Sequence, residues 1–284
     1  MTVHVIGASG RSGAALCRSL LTDGIDFIPV VRSAARWAAT GLPGEPRLAD
    51  LTGDGLGTAL DGATWIVSCA HARHVPAIQA AGPSDARLIA LGSTRKFTQW
   101  PDAHGNGVIA GERALLDSGR PGAILHPTMI YGAAGEDNVQ RLAALVGRLP
   151  AVPLPGGGRA LVQPIHQSDV TRSIRAALGV AWTGPESIVI AGPTPLRYAE
   201  FVRAVAEAAG LPTPRIIPVP AALLLALSPL TALPRLPRIR TAEIRRLLED
   251  KSFGIEAMRS RLGVDPIPLV AGLSLTFGKA RCLS

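Results

Sequence analysis

The first residues able to do chemistry are Gly7-Ala8-Ser9-Gly10-Arg11-Ser12-Gly13, a G-x-x-G-x-x-G run. The β-branched stretch at 3–6 precedes it and a helical pattern from residue 12 follows. In that context each glycine has a physical task. Gly7 permits a sharp turn, Gly10 lets a diphosphate approach the backbone, and Gly13 lets the helix lie close on the sheet. The helix N-terminus then presents N–H groups and a positive dipole end to the phosphates. The spacing is one residue wider at its start than the commonest dinucleotide fingerprint. Ser9 and Arg11 lie inside the loop and are candidate contacts to the same phosphates.

The end of the second strand candidate is where a cofactor is chosen. An acidic residue there would take the ribose 2′-hydroxyl of NAD, whereas this chain has Val30-Val31-Arg32-Ser33. A guanidinium at Arg32 favours the 2′-phosphate of NADP, with Arg11 and Arg36 as helpers. NADP is therefore the expected cofactor and NAD the alternative. His71-Ala72-Arg73-His74 follows the fourth strand candidate. With no Cys or carboxylate at ligand spacing, it reads as an edge of the cofactor cleft, His71 included, and not as a metal site.

These residues need a frame. Strands are expected at 3–6, 27–31, 65–68, 88–91 and 123–125, with helices at 12–21, 56–60, 75–81 and 108–116. Such alternation predicts right-handed βαβ units, hence an α/β doubly wound parallel sheet of the Rossmann type. The expected core spans 1–191 with a loop and helix excursion at 133–161, including a Pro/Gly-rich loop at 149–159. Residues 192–284 are expected to form a smaller lobe of short helices over the carboxyl edge of the sheet. Asp169 is placed to cap a helix that follows it.

With 284 residues, 47% hydrophobic and 18% charged, the chain can bury a full core and is not a disordered one. Its net charge of +8 would suit a phosphorylated ligand, but the arginines look scattered, so nucleic acid is not an expected partner. Cys17, Cys69 and Cys282 have no metal-ligand or disulfide pattern, which fits a reducing cytoplasm. Residues 1–7 read as a strand entering a glycine turn, not as a leader. The longest apolar run, 221–233, is too short for the ~20 residues of a membrane span; with Arg235, Arg238 and Arg240 after it, it reads as packing between lobes, with an interfacial segment or substrate lid as alternatives.

The chain resembles the short-chain dehydrogenase/reductase superfamily, in particular its extended and atypical NAD(P)-dependent epimerase/dehydratase branch. The glycine loop is similar to that branch's loop. Leu48-Ala49-Asp50-Leu51 resembles its acidic turn, where Asp50 would meet the adenine amine. Ser68-Cys69-Ala70 resembles the small-residue segment lining the cofactor. His126-Pro127-Thr128-Met129-Ile130-Tyr131-Gly132 is similar to its R-P-x-x-x-Y-G segment, with His for Arg and Tyr131 toward substrate. Gln163 to Val170 resembles its P-V-H-V-x-D-V segment, in which His166 would brace the site. Pro155-Gly156-Gly157-Gly158-Arg159 resembles the loop over substrate in nucleotide-sugar epimerases, where Arg159 would take an anionic group.

The resemblance implies a Tyr and a Lys four residues apart, the Lys lowering the Tyr pKa as it passes a proton. Tyr131 and Tyr198 are followed at that spacing by Gly135 and Val202. Anchored on Glu112, the pattern puts Val108 at the Lys position and His104 at the Tyr position. Thr94 then best matches the hydroxyl that polarises the reacting oxygen, and Ser93 is next. His104 is either a general acid–base or part of a polar His-Gly-Asn-Gly loop, with the loop preferred; Lys96 is a further cation near the same cleft. The implied activity is oxidoreductase or epimerase-type chemistry on a small hydroxyl or carbonyl substrate, a nucleotide sugar among them. The alternative is a silent dinucleotide-binding sensor or assembly subunit, as among nitrogen-metabolite-repressor-like redox sensors and a respiratory complex I accessory subunit. A homodimer is left open.

Overall fold

Val3–Ile6 (β1) is buried along its whole length, His4 included, as a strand at the centre of a two-sided sheet must be. A computed structural model describes residues 2–53, 55–132, 138–227 and 241–281. The chain forms two compact units, one from residues 1–135, 165–191 and 254–266 and the other from 136–164, 192–253 and 267–284. Elements are numbered along the chain.

In the first unit β1 is followed by α1 (Arg11–Thr22), β2 (Phe27–Val31), α2 (Ala34–Ala38), β3 (Arg47–Leu48), α3 (Leu56–Leu60), β4 (Trp65–Ser68), α4 (Val75–Ala81) and β5 (Arg87–Leu91). Then come α5 (Ala103–Asp117), β6 (Gly122–Pro127), β7 (Ile130–Tyr131), β10 (Ile165–His166), α7 (Gln167–Gly179), β11 (Pro185–Ile190) and α11 (Glu256–Leu262). Short 3-10 turns sit at Ala72–His74 and Thr94–Phe97. The sheet order is β11-β6-β5-β4-β1-β2-β3, with every neighbour parallel. The order reverses between β1 and β4, and that crevice at the carboxyl ends is where such sheets take ligands.

Strand alternation sends Val3 and Val5 to one face, where Leu16, Cys17 and Leu20 of α1 pack with Ile174 and Ala177 of α7 and Met258 of α11. Ile6 and Ile66 go to the other, against Leu60 of α3, Ile78 of α4 and Val108 and Leu115 of α5. Each such fully buried aliphatic contributes about 1.5–3 kcal/mol. His4 is fully buried on β1, where its Nδ1 donates to the Ala59 carbonyl at 3.1 Å.

The second unit holds α6 (Asn138–Arg148), β8 (Ala151–Pro155), β9 (Leu161–Val162), β12 (Leu196–Arg197), α8 (Tyr198–Ala208), β13 (Arg215–Val219), α9 (Ala221–Leu227), α10 (Thr241–Arg246) and α12 (Leu269–Arg281). Val146 of α6 packs with Val152 of β8 and with Val202 and Ala206 of α8. Gln163 ties this unit together: its side chain donates to the Gly192 and Phe253 carbonyls and accepts from the Phe253 N–H.

Two expectations are corrected in this unit. The Pro/Gly-rich loop at 149–159 contains β8, and the region after 192 contains β12 and β13 as well as helices. β8 and β13 pair in parallel as a two-stranded ribbon. Each strand therefore has an open edge on which proline's missing N–H costs no ladder bond. The stretch 228–240, with Arg235, Arg238 and Arg240, lies outside the described residues, as does Cys282.

Candidate functional site

The glycine loop turns directly out of β1. Gly7 has φ +74° and donates to the Val30 carbonyl at 2.9 Å, and the Gly10 N–H donates back to Gly7 at 2.8 Å. A Cβ on Gly13 would fall on the carbonyl of Gly7. This packing seats α1 against the turn. Gly10 is the N-cap and offers no side-chain oxygen, so nothing from the cap itself competes for the first-turn amides, which have no acceptor within the helix. Ser9 is half-buried beside them and Arg11 is exposed.

The residues of β4's carboxyl end come to the same crevice. The Cys69 N–H donates to the Ile6 carbonyl, and a Cβ on Gly7 would be 3.4 Å from the Ala70 nitrogen. Burial pushes the Cys69 thiol up to about 12, so it is no nucleophile at neutral pH. Ser68 has a buried hydroxyl without a hydrogen-bond partner, as does Thr128 just beyond β6. Orphaned polar atoms at the carboxyl ends of a doubly wound sheet, beside a glycine cradle, fit a bound dinucleotide.

Arg32 is exposed immediately after β2. Asp50 lies beyond β3 and accepts from the Thr52 hydroxyl and N–H, which hold its carboxyl below the usual range with help from Arg32 and His74. Leu51 and Ala70 pack against the core under α3 to α5. His71 caps its 3-10 turn by accepting from the Arg73 N–H at 3.1 Å.

Helix α5 begins at Ala103 with Asp102 as its N-cap, accepting from the Gly105 N–H at 2.8 Å. His104 is therefore on the first turn of a helix, which corrects the expected polar loop. The two glycines that argued for a loop are packing glycines: a Cβ on Gly105 would be 2.9 Å from the Arg95 carbonyl, and one on Gly107 would be 2.9 Å from the His71 ring. The His71 and His104 rings meet edge to face with centroids 4.3 Å apart. Burial, then the nearby His104 and Arg73, holds His71 below its ordinary value. Val108, one turn further, is buried.

The two hydroxyls after β5 differ. Thr94 is buried and donates to the Pro127 carbonyl at 3.2 Å, bracing the end of β6. Ser93 is half-buried and its Oγ accepts from the Arg95 N–H, which leaves its own proton for another acceptor. Lys96 turns under α5 to pair with Glu112, beside His126 of β6 and Ser187 of β11. No sequence signal linked these four residues; they are brought together only by the parallel pairing of β5, β6 and β11 beneath one helix.

Tyr131 is fully buried, and burial followed by the charge of Asp169 raises its phenol above the ordinary value. Its ring meets His166 edge to face. His166, and not Asp169, caps α7, its ring accepting from the Ser168 N–H at 3.2 Å. The helix starts two residues earlier than Asp169, which instead sits in the first turn and pairs with Arg172 at 2.7 Å.

In the second unit Arg159 is exposed after three consecutive glycines with positive φ. The basic residues are divided almost evenly between the units, but the net charge is not. The second unit carries 14 Lys and Arg against 7 Asp and Glu, a net +7 of the chain's +8. Among the described residues no group of three His, Cys, Asp or Glu could hold a metal, and no helix is long and apolar enough to cross a membrane.

The fold is that of the short-chain dehydrogenase/reductases and sugar-nucleotide epimerases. UDP-glucose 4-epimerase of Thermotoga maritima, with UDP-glucose, superposes with a TM-score of 0.75 at 14% identity, over 100% of this chain and 99% of that one. UDP-glucuronic acid 4-epimerase of Bacillus cereus, with UDP-glucuronic acid and NAD, gives 0.75 at 14% over 100% of both chains. A short-chain dehydrogenase/reductase superfamily protein of Agrobacterium tumefaciens with bound NAD gives 0.73 at 14%, over 100% and 98%. No protein-family model matches the chain, and no curated protein matches it in sequence.

Proposed function

We propose that the chain binds NADP(H) at the mouth of β1 and α1 and performs oxidoreductase or epimerase-type chemistry on a small hydroxyl or carbonyl substrate bearing an anionic group, such as a nucleotide sugar. The carrying observation is the cradle at the reversal of strand order, where a side chain on Gly13 would displace α1 from Gly7. Bound there, the cofactor supplies a hydride donor or acceptor. The first-turn amides hold its diphosphate and Arg32 its 2′-phosphate. The Bacillus cereus and Agrobacterium tumefaciens relatives carry NAD; the case for NADP rests on the basic Arg32 where an acid would serve NAD.

The reacting oxygen takes a hydrogen bond from Ser93, whose proton is uncommitted, in preference to Thr94, whose proton already serves Pro127. His104, against the His71 ring, moves the proton. The imidazole acts as general acid or base and exchanges its proton with solvent. Arg159 is the candidate contact to an anionic group on the resemblance of its loop to the one over substrate in nucleotide-sugar epimerases, in keeping with the UDP-sugars in the relatives' own structures.

A second reading, a dinucleotide-binding sensor or assembly subunit without turnover, is favoured by Val108. That buried valine stands where the resemblance calls for a lysine. One experiment divides the two. The purified chain is titrated with NADPH and NADH, then assayed for cofactor oxidation and epimerisation with UDP-sugars and simple carbonyls, and any activity is repeated with Ser93→Ala and His104→Ala. Turnover lost in both variants supports the enzyme. Tight binding with no turnover supports the sensor, and binding of neither cofactor overturns both.

A further inference from the structure

Glu112 is a poorly exposed carboxylate on which three other elements converge. The Lys96 ammonium, from the turn after β5, is ion-paired to its Oε1. The His126 ring, fully buried on β6, has Nε2 3.2 Å from the same oxygen. The Ser187 hydroxyl of β11 donates to it as well.

The tautomer of His126 follows from its other nitrogen. The backbone N–H of Ser93 donates to Nδ1 at 3.1 Å, so Nδ1 carries the lone pair and the ring proton sits on Nε2, donating to Glu112. Lys96 Nζ, 3.4 Å from Nε2, is then a donor facing a donor and acts on the ring through charge alone. Burial, followed by that charge, pushes the imidazole down to about 4 against the pull of Glu112. Burial pushes Glu112 up, but Lys96, Ser187 and His126 together bring it below its ordinary value. Among the described residues facing Glu112, the standing positive charge is therefore that of Lys96. Gly92 completes the contact: a Cβ there would fall on Nδ1 of His126, so the ring packs on bare backbone next to Ser93.

We infer that Lys96, Glu112 and His126 are positioning residues that clamp the Ser93–Thr94 turn onto α5 and β6 and so aim the Ser93 hydroxyl. The inference rests on the role given above to Ser93. The clamp has a definite failure mode. Without the ammonium, the buried carboxylate is compensated only by neutral donors, and the adjacent imidazole takes a proton. The new Nδ1–H then faces the Ser93 N–H, donor against donor, and the turn is released.

Nuclear magnetic resonance on the labelled full chain, without cofactor, tests this. In the unsubstituted protein His126 is expected as the neutral Nε2–H tautomer between about pH 6 and 8. Lys96→Met is expected to move its titration toward neutrality and to speed hydrogen exchange of the Ser93 amide by about tenfold, with the amides of β1 and β4 unchanged. Lys96→Arg restores both. A merely structural lysine would instead speed exchange throughout the sheet. An Nδ1–H tautomer, or Ser93 exchange unaltered by Lys96→Met, overturns the inference. The tautomer needs no variant, so the test survives a Lys96→Met that does not fold. Neither readout involves NADPH, so a chain that binds no cofactor would end the functional reading and leave this one standing.

Discussion

Gly13 and Gly7 touch backbone to backbone: the place a Cβ would take on Gly13 is already filled by the Gly7 carbonyl. Helix α1 reaches the end of β1 only because residue 13 has no side chain. Gly13→Ala is expected to cost about 1–3 kcal/mol of stability through overpacking, and to weaken NADPH binding at least about tenfold by moving the amides off the diphosphate. Gly179→Ala, where a Cβ meets nothing within 4 Å, should leave both unchanged. Thermal melts and a fluorescence titration on the two variants check this.

Arg32 should decide which coenzyme is preferred. Removing a guanidinium from a phosphate, and placing an acid where a ribose hydroxyl can donate to it, acts on the two cofactors in opposite directions. Arg32→Glu is expected to lower NADPH affinity about tenfold or more while NADH affinity rises. Parallel calorimetric titrations read both, and a loss shared equally by the two cofactors would contradict the assignment.

Ser93 and Thr94 should separate chemistry from stability. Thr94→Val strands the Pro127 carbonyl in a buried place and is expected to cost about 1–3 kcal/mol with turnover per folded molecule little changed. Ser93→Ala is expected to keep the melting temperature within a few degrees and to lower kcat about a hundredfold, in the range for one lost polarising donor. The reverse pattern would restore Thr94 as the reacting hydroxyl.

How legible these features were depended on distance along the chain. The five strands at 3–6, 27–31, 65–68, 87–91 and 122–127 announce themselves because both sheet faces are covered and the strands are continuous apolar runs. The glycine loop is local, so its spacing could be read. β8 and β13 were hidden by their prolines, which only an open strand edge tolerates. The start of α5 was hidden by Gly105 and Gly107, whose poor helix propensity is overridden by close packing on Arg95 and His71. The cap of α7 was assigned to Asp169 by residue type, whereas His166 has the extended backbone a cap needs. The cluster of Lys96, Glu112, His126 and Ser187 spans four elements, and nothing short of the sheet order brings it together.

Acid should destabilise the first unit well before its carboxylates are protonated. His126 has its folded value near 4 against about 6.5 when unfolded, and His4, His71 and His74 are shifted in the same direction by burial. A depressed folded value means that the unfolded chain binds more protons in this window. The stability these groups contribute is therefore full above pH ~6.5 and lost as pH falls toward 4. For His126 alone the loss is about 3 kcal/mol, and Glu112, also lowered, adds to it at still lower pH. Melting temperature against pH should be level near neutrality and fall steadily below about 6.5; a rise on acidification would contradict the buried neutral imidazole.

The functional reading stands on the amides at the start of α1 holding a coenzyme's diphosphate. Its most direct test follows the backbone amide resonances of Gly10, Arg11, Ser12 and Gly13 while NADPH is added to the full chain. Saturable shifts are expected at these four, accompanied by Arg32 and by Ala70 across the crevice. Amides that stay in place while the cofactor binds elsewhere, or a cofactor that does not bind at all, would contradict it.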